Sequence, residues 1–141
     1  MTRERKARPL WRLGVVVLLA AVSFAAALAE FQDAPDQGCV ASGSPDSSYQ
    51  ARFTQPVTTG SNVYELEVTR NALPVTGARV CLEASMTGMT GMATGQVARE
   101  RSPGRYEVMA RFPMVGPWDV NVQVIERGKE PVIIPLPVTV G

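Results

Sequence analysis

The stretch Asn62-Val63-Tyr64-Glu65-Leu66-Glu67-Val68-Thr69-Arg70 decides the fold class. Tyr64, Leu66 and Val68 fall on one side of an extended chain, and Glu65 and Glu67 on the other. This two-residue period belongs to a half-buried β-strand and cannot build an apolar stripe on a helix. The same alternation recurs outward from this segment. Upstream, Tyr49, Ala51 and Phe53 alternate with Gln50 and Arg52. Downstream, Ala78, Val80, Leu82, Ala84 and Met86 share a face opposite Arg79, Cys81, Glu83 and Ser85. Tyr106, Val108, Ala110 and Phe112 form a further face, as do Trp118, Val120, Val122 and Val124. The final run, residues 132–141, is apolar but carries Pro135 and Pro137, which places it at a sheet edge.

Gly, Pro and Asn punctuate the intervals between these runs, and no segment after residue 30 has a helical period. The pattern predicts an all-β domain over residues 49–141. The expected architecture is an immunoglobulin-like antiparallel β-sandwich of six to seven strands. Glu65, Glu67, Arg79 and Glu83 read as a solvated outer face.

Upstream of that domain the character changes. Residues 1–12 hold five cations, Arg3, Arg5, Lys6, Arg8 and Arg12, against Glu4 alone, a net charge of +4. The other 129 residues carry 9 Lys+Arg and 12 Asp+Glu, a net −3. Residues 13–29 contain no charge. They are expected as one hydrophobic helix, either a cleaved signal ending at Ala27-Leu28-Ala29 or a retained anchor. Both readings send the rest of the chain out of the cytoplasm, to the periplasm or the outer face of the membrane, because the positive end stays inside. Residues 30–48, rich in Gly, Pro, Ser and Asp, read as a flexible linker.

Composition excludes much chemistry. The 141 residues include no His and two Cys. No imidazole-based nucleophile system, imidazole metal site or four-thiolate zinc site can be built in one chain. The weakly acidic domain argues against nucleic acid, and no glycine-rich phosphate loop runs from a strand into a helix, so nucleotide binding lacks support. An enzymatic role is not expected.

One segment breaks the alternation: Met86-Thr87-Gly88-Met89-Thr90-Gly91-Met92. Met114 lies in a second turn-like segment, Phe112 to Trp118. Thioether sulfur is a soft ligand suited to Cu(I), and it has no proton to lose near neutral pH. Methionine is equally a common filler of irregular apolar gaps, so both readings stay open here. Cys39 and Cys81 are read first as a disulfide, since the chain is expected outside the cytoplasm. Two free or metal-binding thiols and an intermolecular link are the alternatives.

The block from Val63 to Val124 resembles the YtkA-like/FixH-like family. The matching features run in order: Asn71 to Gly77 leading into Ala78-Arg79-Val80, the Met-Gly loop at 86–92, Pro103-Gly104-Arg105-Tyr106, and Met114 through Gly116-Pro117-Trp118 into alternating valines. The resemblance implies an exported or membrane-anchored β-sandwich associated with copper handling or oxidase assembly. It implies Cu(I) held by Met86, Met89, Met92 and Met114 and passed by ligand exchange to a copper-receiving or membrane protein partner. Relatives often carry His near this loop and this chain has none, which restricts such a site to thioethers. The competing expectation is a metal-free structural or interaction module acting on a membrane or periplasmic protein.

Overall fold

The computed structural model describes residues 39–89 and 93–141. The expected hydrophobic helix at 13–29 and the part of the expected linker before Cys39 lie outside the described residues.

Nine strands follow in chain order: β1 Ser44–Pro45, β2 Tyr49–Phe53, β3 Gly60–Arg70, β4 Leu73–Pro74, β5 Arg79–Met86, β6 Thr94–Ser102, β7 Arg105–Phe112, β8 Gly116–Ile125 and β9 Val132–Val140. The fold is all-β, with no helix among the described residues. Seven strands are five residues or longer, and β1 and β4 are two-residue pieces. The one long strand that alternation does not reveal is β6, Thr-Gly-Gln-Val-Ala-Arg-Glu-Arg-Ser, whose charged second half has no apolar face to betray it.

The strands form one open curled sheet in the order β1-β9-β8-β5-β6-β7-β3-β2, with β4 folded back on β3. Expectation had been two separate antiparallel sheets. Instead β6 belongs to both wings. Its first half, Thr94–Ala98, pairs with β5, and its second half, beginning at Arg99, pairs with β7. The pairing is antiparallel throughout except where Ser44 and Pro45 run parallel to β9.

A single core lies between the wings, and the predicted faces supply it. Tyr64, Leu66, Val68, Val80, Leu82, Ala84, Tyr106, Val108, Phe112, Trp118, Val120, Val122 and Val124 are all essentially inaccessible. An edge-to-face chain of rings crosses this core: Phe53 on Tyr64 at 5.4 Å, Tyr64 on Phe112 at 5.8 Å, and Phe112 on Trp118 at 5.3 Å. Two buried phenols hold loops at opposite ends. The Tyr64 hydroxyl donates to Thr58 C=O at 2.9 Å, and the Tyr106 hydroxyl donates to Val75 C=O at 2.9 Å.

The outer face of β5 departs from expectation. Cys81 points outward from its strand yet is 1% exposed, because residues 39–45 lie across it. Cys39 and Cys81 form a disulfide with a Cα–Cα distance of 6.0 Å. Beyond it, Ala41 N–H donates to Glu83 Oε2 at 2.9 Å, and Gln123 Nε2 donates to Ser42 C=O and, at 3.2 Å, to Ser42 Oγ. Gly95 makes the approach possible: a Cβ there would stand 1.6 Å from the Cys39 carbonyl oxygen. Residues 39–48, expected as the end of the flexible linker, are thus packed on the sheet or paired within it.

At the far end from the methionine loop, Tyr49 of β2, Arg70 of β3 and Glu126 after β8 join the two wings. The Tyr49 hydroxyl donates to Glu126 Oε1, which also accepts from Arg70 Nη1 at 3.0 Å. Lys129 Nζ meets Glu126 Oε2 at 3.1 Å.

Removing the disulfide by Cys39→Ser lengthens the unfolded chain's freedom across a separation of 42 residues. The loss expected from loop-closure entropy is about 4 kcal/mol, read as a lower denaturant midpoint. A second prediction concerns alkaline pH. Burial pushes the hydroxyls of Tyr49 and Tyr106 above the ordinary 10.0, and the Glu126 carboxylate adds to the shift at Tyr49. Folding therefore favours the neutral phenols, and their contribution is complete below pH 10.0 and is lost as pH rises through the folded values. Stability of the native chain should fall more steeply above that pH than in Tyr49→Phe or Tyr106→Phe, measured by chemical denaturation at a series of pH values.

Candidate functional site

The end of the sheet where β5 stops and β8 starts gathers the methionines, and backbone pairing is the cause. Met86 is the last residue of β5 and sits directly across the ladder from Trp118. Thr87 N–H then donates to Pro117 C=O at 3.2 Å, which keeps the two loops side by side. Gly88 adopts φ +80°, a left-handed turn that carries the chain back so that Met89 N–H donates to Met86 C=O at 3.0 Å.

The second loop, between β7 and β8, is held from below. Trp118 is buried, packs edge-to-face against Phe112, and donates its indole N–H to the Met114 carbonyl at 3.0 Å. Gly116 has φ +124°, a backbone conformation that favours glycine. A Cβ at that position would lie 3.6 Å from Met86 Cε, so the Met86 side chain reaches across to the Met114 loop. Met86 is partly buried against the core, whereas Met89 is 47% and Met114 36% exposed. Val115 between them and Gly116 is also exposed. Met92 lies outside the described residues.

Three of the four sequence-predicted methionines therefore occupy two adjacent loops at one end of the fold. Among the described residues no three His, Cys, Asp or Glu side chains come together in a metal-binding group. Cys81 contributes no thiolate, since its sulfur is bonded to Cys39. The alternation places Trp118 on the inward face, as found, but gives no sign that its N–H tethers the Met114 loop or that Gly116 takes a positive φ there. The dipeptide Gly116-Pro117 directly before Trp118 was the available signal.

The outer face of β3 and β7 carries the other dense group of polar side chains. Glu65 and Glu107 face each other directly, an unfavourable pairing of like charges. Arg105 bonds Glu65, and Arg101 bonds Glu107 at 2.5 Å, which offsets the repulsion. Arg52 similarly bonds Glu67. These pairs are substantially exposed and balance the charge of this face.

No curated protein and no solved structure shows significant similarity to the chain. The YtkA-like family matches over residues 43–123, more than half of the chain. The matched span contains both methionine loops, Cys81 and Trp118, and it leaves Cys39 and β9 outside. On that match, and on an all-β structure whose strands carry the motifs in register, the chain belongs to the YtkA-like family.

Proposed function

We propose that this protein handles copper outside the cytoplasm, binding Cu(I) through Met86, Met89, Met92 and Met114 and passing it to a partner by ligand exchange. The observation that carries the reading is the adjacency of the two loops, with Met86 across from Trp118 and Met114 tied to the Trp118 indole. Soft, uncharged thioethers select Cu(I) over harder divalent ions. Exposure of Met89 and Met114 suits transfer, because an incoming ligand can replace one sulfur at a time without unfolding the site. The role needs no catalysis and no change of copper oxidation state. Anchoring or export by residues 13–29 would place the site in the periplasm or at the outer membrane face, beside a copper-receiving or membrane protein.

The test is competition for Cu(I) between the full-length protein and a chromogenic chelator under reducing conditions. Met86→Leu/Met89→Leu/Met92→Leu/Met114→Leu is run beside the native chain, keeping apolar volume while removing every candidate sulfur. Stoichiometric binding by the native chain and its loss in the variant are expected. Affinity should also stay level between pH 5 and pH 8, to within about threefold, because no ligand has a proton to release. If the native chain fails to compete, the methionines pack the end of the fold and the protein acts as a metal-free interaction module on a membrane or periplasmic partner.

A further inference from the structure

Four methionines stand among the described residues, and the fold exposes them unequally. Met109 is 64% exposed on the outer face of β7, outside both methionine loops. Met89 and Met114 are exposed on the loops themselves. Met86 differs from all three: it packs against the core, with its Cε toward Gly116.

A thioether sulfur attacks hydrogen peroxide through its own lone pair, with no neighbouring base required. The sulfur takes one peroxide oxygen and the O–O bond breaks. The departing hydroxide collects the proton left on the transferred oxygen, so the products are a sulfoxide and water. Sulfur loses two electrons, the peroxide gains them, and no further reactant is needed. The product is polar and presents oxygen, a hard donor, where the thioether presented soft sulfur.

We propose that Met89 and Met114 are sites of reversible oxidation by hydrogen peroxide, and that their sulfoxides switch off Cu(I) binding at the methionine end while the fold stays intact. The copper half of this statement rests on the function proposed above; the order of oxidation does not. The loops tolerate the change because main-chain groups hold them. Met114 is tied through its carbonyl to the Trp118 indole, and Met89 through its N–H to Met86 C=O at 3.0 Å. A sulfoxide on either exposed side chain can be hydrated and leaves both tethers in place. At Met86 the added oxygen would have to enter packing against the core, which slows its conversion. Conversion of Met89 and Met114 leaves Met86 as the one described sulfur of the two loops, too few to hold Cu(I). The exposure that admits peroxide also admits the reductases that restore the thioether.

The experiment treats the full-length protein, in mild detergent, with a graded series of hydrogen peroxide and measures sulfoxide at each methionine by peptide mass spectrometry. Cu(I) competition and the thermal midpoint are read on the same samples, before and after a pair of methionine sulfoxide reductases, one for each sulfoxide epimer. Sulfoxide is expected at Met89 and Met114 about threefold or more faster than at Met86. Cu(I) affinity should fall about tenfold or more as those two convert, with the midpoint unchanged, and return after the reductases. A Met109→Leu chain should lose and regain Cu(I) in the same way, because that sulfur lies outside the loops. Conversion of Met86 as fast as Met89 and Met114 overturns the proposal. So does Cu(I) binding that survives their conversion, that follows Met92 or Met109 instead, that is lost only together with the fold, or that the reductases fail to restore. The untreated sample is read first: if it does not compete for Cu(I), the copper reading itself is overturned and the switch falls with it, whatever the order of oxidation.

Discussion

Strand β6 must serve two layers at once, and the rest of the structure follows from how it does so. A strand that stayed with β5 would leave β7 and β3 as a separate sheet, with a second long open edge. By crossing between wings after Ala98, β6 joins all the strands into one sheet whose only core is the space enclosed by its curl. The residue sequence fits the crossing. Ala98 is the last inward-facing position on the β5 side, and from Arg99 to Ser102 the strand is polar, as suits an exposed margin.

The disulfide and the segment behind it extend this economy to the outer surface. A β-sheet in water commonly leaves one face solvated. Here the outer face of β5 and β8 is roofed by residues 39–45, which satisfy Glu83 and Gln123 by hydrogen bonds and bury the sulfur of Cys81. Burial of both cysteines identifies a structural bond, shielded from the small thiols that would reduce it.

The two ends of the fold differ in chemistry. One is closed by the ionic contacts of Tyr49, Arg70, Glu126 and Lys129, which tie β2 and β3 to the turn after β8. The other offers thioethers on glycine-bearing turns, supported by buried rings. A soft cation would find no competing carboxylate cluster among the described residues of this methionine end, and a hard one would find no ligand set there.

What the sequence determined by itself was the strand content and the identity of the core. Tyr64, Leu66, Val68 and their counterparts on four further strands repeat every second residue, and that period is a local property of an extended chain. The sequence also named Cys39 and Cys81 as the first disulfide reading and set out the methionine loop as the break in the alternation, while the state of the thiols and the role of the methionines stayed open. Tertiary structure alone decided the rest. Strand β6 was not legible, because half of it pairs in one wing and half in the other, and neither half repeats an apolar period. The burial of Cys81 on an outward face was equally hidden, since the segment covering it comes from a position 42 residues away. The tether from Trp118 to Met114 and the approach of Met86 to Gly116 depend on distances between loops that only the register of β5 against β8 sets. Alternation assigns a side chain to a face; what lies against that face is decided by contacts between segments remote in sequence.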